Sequence, residues 1–189
     1  MDAIVATAFW KRLDTEGHDA CRLIRRADGW RLAGGAVFDH RGEAVQLAYV
    51  VDCAADWRTL SASVRGSVGL EPLSFDIERA PGGEWLLDGK AQPKAGGCVD
   101  LDLGFTPATN LIAIRRLQPG ADADTPAPAA YYLEFTLELG LVEQTYRRTA
   151  PGRLHYRSPA YGYDEVLTVS EIGFVTEYPG LWSGTVALR

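Results

Sequence analysis

Asp100 and Asp102, the turn Thr106-Pro107-Ala108-Thr109-Asn110 and the pair Arg115-Arg116 form the densest group of chemistry-bearing side chains in this sequence. On a strand rising about 3.3 Å per residue, the two carboxylates share a face roughly 7 Å apart. That spacing suits two carboxylates working across a small group, as in a hydrolase or isomerase. The commoner fate of such a pair is a solvated face, because charged side chains are mostly exposed. The turn is rich in side chains that bond local backbone, and the same groups could meet a ligand. If residues 112–117 form a strand, Arg115 and Arg116 face opposite sides, and one of them lies among apolar neighbours. An arginine so placed needs a carboxylate or a bound anion. The expectation is a charged cluster of Asp100 or Asp102, Asn110 and one arginine at a cavity mouth, or else an ion pair that only pins the turn.

Aromatic side chains are the second signal. Five tryptophans and eight tyrosines combine an apolar body with a polar tip. Most belong in a core, and a few can line a cavity for an amphipathic or sugar-bearing ligand. Trp57 is the favoured cavity residue, because the turn before it delivers its ring at a strand start.

Other chemistries find little support. Three cysteines and three histidines are scattered, without the paired short spacing of a zinc site or a disulfide framework. No metal and no cofactor is expected. Phosphate loops, dinucleotide fingerprints, H-E-x-x-H and nucleophile elbows are absent. A net charge of −6 argues against a nucleic-acid partner. No run of 18 apolar residues suggests a membrane span. Residues 1–11 lack the basic start of a signal peptide, so a cytoplasmic, reduced protein is expected.

The elements that must position these residues read as strands. The chain of 189 residues is 47% apolar and 23% charged, which fits a single domain over residues 1–189 with a sizeable core. Turn signals recur every few residues, separated by short segments of period-two alternation. The clearest is residues 133–139, with Leu133, Phe135, Leu137 and Leu139 on one side. Residues 99–105 follow, and then 20–26, 30–38, 45–52, 57–65, 73–79, 84–87, 112–117, 141–148, 153–157, 165–170, 173–178 and 184–188. No long window has a helical period, although residues 107–113 can hold one turn. An all-β barrel or sandwich results. Residues 118–128, small, acidic and proline-rich, read as a surface loop.

Several pieces, in order, carry a resemblance: residues 16–22 (EGHDACR), 49–59 (YVVDCAADWRT), 83–89 (GEWLLDG), 97–117, Gln144 to Tyr146 with Tyr156, and 173–182 (GFVTEYPGLW). Together they resemble the putative glycolipid-binding family, formerly a bacterial domain of unknown function. Ala108 and Ala113 depart from the family's run, which has an aromatic ring and a proline there. The resemblance implies a large, predominantly antiparallel barrel-like or half-barrel sheet with at most one or two short helices. It also implies a binding protein for an amphipathic small molecule, such as a glycolipid or fatty conjugate, held in a cavity with a polar mouth. Trp57, Asp100, Asp102, Asn110, Arg115, Arg116, Tyr146 and Tyr178 are the candidate ligand-binding residues. Two other readings stay open: a hydrolase or isomerase using Asp100 and Asp102, and a partner-binding module that offers an open sheet edge.

Overall fold

Six long strands open the chain and pair successively with their neighbours: β1 (Ala3–Arg12), β2 (Gly17–Arg25), β3 (Gly29–His40), β4 (Glu43–Ala54), β5 (Thr59–Val68) and β6 (Glu71–Arg79). Alternation decides their faces. Along β4, Val45, Leu47, Tyr49, Val51 and Cys53 are buried, while the residues between them turn outward. A period of two makes one face apolar, and that face must be covered. The computed structural model describes residues 1–132 and 135–189.

The rest of the chain supplies both cover and further sheet. After β7 (Trp85–Leu87) and β8 (Lys90–Ala91) come β9 (Asp100–Asp102), helix α1 (Asn110–Leu117), β10 (Thr125–Pro126), β11 (Ala129–Tyr132) and β12 (Leu139–Val142). They are followed by β13 (Thr145–Ala150), β14 (Arg153–Ser158), β15 (Tyr163–Val169), β16 (Val175–Tyr178) and β17 (Trp182–Leu188). Among the described residues, fourteen strands make one antiparallel sheet in the order β10-β13-β14-β15-β16-β17-β1-β2-β3-β4-β5-β6-β7-β8. Its ends do not pair, so the sheet is an open half-barrel. A second sheet, β12-β11-β9, includes the parallel pair β9–β11.

The small sheet and α1 cover the apolar face of the large sheet. Phe75 on β6 stacks on Tyr132 on β11 with centroids 4.4 Å apart. Tyr49 on β4 meets Phe105 edge-on at 5.8 Å, and Asn110 on α1 reaches Tyr146 on β13. The all-β class expected from the sequence is therefore found, with one short α-helix among the described residues. Among the described residues, no helix is long and apolar enough to cross a membrane.

Four local expectations change. Residues 112–117 form the body of α1 instead of a strand. Leu111, Ile112, Ala113 and Ile114 are all buried, and such a continuous apolar run does not distinguish the two periods. The strand expected at 133–139 begins with Leu133 and Glu134, which lie outside the described residues. Beyond them Phe135 and Leu137 take left-handed φ values of 60° and 55°. Tyr132 pairs with Leu139, and Phe135 to Leu137 lie in a turn before it, so their alternation does not build a strand. The segment 141–148 splits in two because Glu143 and Gln144 leave one sheet before β13 joins the other. Strand β1, absent from the expected set, has Phe9 outward and Trp10 inward within a run of small apolar residues that blurs its period.

Candidate functional site

Strand β9 carries the two aspartates to different ends. Asp100, 1% exposed, receives a two-pronged bond from Arg116: Nε to Oδ1 at 2.7 Å and Nη2 to Oδ2 at 2.8 Å. The arginine sits in the last turn of α1, and the pair raises its already high pKa through that hydrogen bond. The solvated face considered for the aspartates is thus replaced by burial of Asp100 and half-burial of Asp102, because β11 pairs with β9 and helix α1 packs against it.

Asp102 has no such partner. Its Oδ1 accepts the Gly104 N–H at 2.8 Å and the Thr109 hydroxyl at 3.4 Å. Among the described residues no cation pairs with it. Burial pushes its pKa above the ordinary carboxylate value, and those two donors pull the other way.

Asp102 opens onto a cleft of about 320 Å³. Five tyrosines line it, Tyr131, Tyr156, Tyr161, Tyr163 and Tyr178, with Asn110 and Trp182 among the others. Their rings pack on one another. Tyr156 and Tyr178 meet edge-on at 5.6 Å, and Tyr163 and Tyr178 lie 5.0 Å apart. The polar tips are fixed where they are satisfied. The Tyr156 hydroxyl donates to Gln144 Oε1 at 2.6 Å, and the Tyr163 hydroxyl to the Pro179 carbonyl at 2.8 Å. Burial raises the pKa of Tyr156, Tyr163 and Tyr178, so these three phenols stay neutral, and Tyr156 and Tyr163, their protons committed, can accept from a ligand.

A second cavity of about 270 Å³ adjoins the first and shares Gly104, Tyr131, Tyr161 and Leu181 with it. Its remaining walls combine the rings of Phe38, Phe105 and Phe135 and the side chain of Leu103 with the polar groups of Arg12, Asp14 and His40. Tyr131 and Tyr161, centroids 5.5 Å apart, stand at the boundary. A carboxylate with phenols on one side and apolar rings on the other makes an amphipathic space.

The rim of the cleft is tied to the large sheet by a buried acid. Asp19 on β2 accepts from the Tyr49 hydroxyl at 3.1 Å and from the Thr106 hydroxyl. Thr106 in turn accepts the Ala108 N–H at 3.0 Å, capping the short turn before α1. Gly34 makes this possible, since a Cβ there would collide with the Tyr49 ring. Burial pushes Asp19 up to about 7, with the Thr106 and Tyr49 bonds opposing.

Of the eight candidate residues, the structure brings Asp102, Asn110 and Tyr178 to the cleft. Tyr146 lies fully buried behind it and accepts from Asn110 Nδ2 at 2.7 Å. The expected single charged cluster is divided. Asp100 and Arg116 are closed on each other, while Arg115 points to Trp57, its guanidinium carbon 5.4 Å from the ring centroid. Trp57 does not reach either cavity: it stacks on Trp30 at 4.7 Å and is itself 6% exposed. Its turn needs a left-handed φ of 71°, which aims the ring at Trp30. Asp19, Thr106, Tyr131, Tyr161 and Tyr163 were not among the candidates. The close spacing of Tyr156, Tyr161 and Tyr163 was the available signal. Among the described residues, no three His, Cys, Asp or Glu side chains gather as metal ligands would.

Comparison places this arrangement among known proteins. A DUF1089 family protein from Pseudomonas aeruginosa has a similar crystal structure, with a TM-score of 0.76 and 28% identity, over 87% of this chain and 90% of that one. No curated protein matches. The family described as "Putative glycolipid-binding" matches residues 7–184. With that match spanning strands β1 to β17 and the whole cleft, the chain belongs to the putative glycolipid-binding family.

Proposed function

We propose that the protein binds an amphipathic small molecule with a hydroxyl-rich head, of which a glycolipid is one. The observation that carries this reading is the pair of adjoining cavities. One offers Asp102, Asn110 and a tyrosine wall, and the other offers Leu103, Phe105, Phe38 and Phe135. A sugar ring lies against aromatic faces while its hydroxyls bond a carboxylate and phenols. An alkyl portion gains about 25 cal/mol per Å² of apolar surface removed from water, before the costs of association. A polyol suits Asp102 because its carboxylate oxygens keep acceptor capacity for hydroxyl groups beyond the Gly104 and Thr109 donors. The family's name supports the same class of ligand.

A two-carboxylate reaction finds less support, since Asp100 is engaged by Arg116 and turned away from the cleft. Organic extraction of the purified protein followed by mass spectrometry tests the proposal. A co-purifying amphiphile with a polyol head is the expected result. Recovery of only charged, chainless metabolites would contradict it.

A further inference from the structure

Adjacent arginines end helix α1, and only one of them has a carboxylate. Arg116 is locked to Asp100. Arg115 has no ion pair among the described residues, and its Nε is shut off from water without a hydrogen-bond partner. The side chain is nonetheless held in place. Trp57 lies against its guanidinium, and its stem runs beside Gly173, where φ is 100° and an added Cβ would stand 2.9 Å from Leu111 Cδ1 and 3.2 Å from Arg115 Cδ.

A cleft of about 380 Å³ opens here, lined by Arg115, Arg148, Ser170, Gln118 and Glu171 among others. Arg148 donates its Nε to the Pro119 carbonyl at 3.2 Å and makes no ion pair among the described residues. Ser170 Oγ is a second buried atom without a partner. Buried polar atoms are almost always satisfied, so two orphans in one cleft, beside two arginines without carboxylates, require an explanation. We propose that this cleft binds a small oxyanion, a phosphate or carboxylate group, between Arg115 and Arg148 with the Ser170 hydroxyl as a third donor. Guanidinium groups match such oxygens in pairs. The Ser170 hydroxyl turns about a single bond, so it can follow an incoming oxygen.

Two features oppose the anion. Glu171 is exposed in the same cleft, and the carbonyl end of α1 is negative. The anion is therefore held by direct donors and not by a general positive field. The site is separate from the tyrosine cleft: Asn110 at the start of α1 lines that one, and Ile114, Arg115 and Gln118 line this one.

Calorimetric titration of the full chain with inorganic phosphate tests the proposal. Saturable binding is expected. Arg115→Lys keeps the stem and charge but loses the fork, and should weaken binding about tenfold, the value of a bond to a charged group. Ser170→Ala should weaken it about fivefold with no fall in melting temperature. Glu171→Gln should tighten it. Octyl phosphate serves as the second probe. Binding about tenfold tighter than phosphate assigns the site to an amphiphile's head group, and equal binding assigns it to a free oxyanion. No saturable binding of either probe, or unchanged affinity in the folded Ser170→Ala and Arg115→Lys variants, would overturn the proposal.

Discussion

Two residues apart on one short strand, Asp100 and Asp102 occupy opposite kinds of surroundings. Around Asp100 both carboxylate oxygens face Arg116 donors and no cavity intervenes. Around Asp102 the carboxylate has two neutral donors, both on Oδ1, no cation among the described residues, and open space lined in part by phenols. Burial alone therefore does not mark a functional acid. A buried acid whose bonding capacity is used up serves the fold. A half-buried acid with spare capacity beside a cavity is set up to meet a ligand.

The sharpest way to break this contrast is to cut the closed pair. Arg116→Ala strands a fully buried carboxylate and should cost about 3–5 kcal/mol of unfolding free energy. Affinity of the surviving folded protein for an amphiphile should not change. A chemical denaturation curve and a ligand titration on the same variant read both effects.

Asp19 gives a pH test of the region that joins the cleft to the sheet. Its pKa is raised from 3.8 to about 7 in the folded protein. The native state thus holds this proton more tightly than the unfolded chain does. The resulting stability is fully present below about pH 4 and is lost as pH climbs through about 7. The loss attributable to this group has a ceiling of roughly 4 kcal/mol. Asp19→Asn should flatten the stability profile between pH 5 and 8 if Asp19 is its source; an unchanged slope would assign the dependence elsewhere.

Trp57 sharpens the comparison from outside the cleft. Its ring is packed against Trp30 and Arg115. Trp57→Ala should therefore lower stability by about 3 kcal/mol and leave amphiphile affinity unchanged. Weakened amphiphile binding at full occupancy of the fold would return Trp57 to the ligand site.

The long strands were legible because each buries one face. The alternation of residues 45–52 and 73–79 maps directly onto β4 and β6. Helix α1 was not, since its apolar run is buried without interruption and leaves no polar stripe to set a period. Asp102, Asn110 and Tyr178 could be singled out by residue type and neighbourhood. Their separation from Asp100 and Arg116 could not, because it depends on the helix that turns Arg116 back over β9. The tyrosine wall assembles residues from β11, β14, β15 and β16 with the short turn at Pro159–Tyr161. The rings on β14, β15 and β16 are neighbours in sequence order, but Tyr131 joins them from β11 of the other sheet, which local spacing does not reveal. Asp19 was invisible for the same reason: Thr106 is 87 residues away.

The central claim is that Asp102 reads the polar head while the aromatic rings and Leu103 of the adjoining cavity take the chain. Titrating octyl glucoside, below its micelle concentration, against octanol and glucose tests it most directly, in the wild type and in Asp102→Asn. The glucoside should bind more tightly than either fragment, and Asp102→Asn should weaken it about tenfold while leaving octanol unchanged. Equal binding of octyl glucoside and octanol, with no effect of Asp102→Asn on either, would contradict the account.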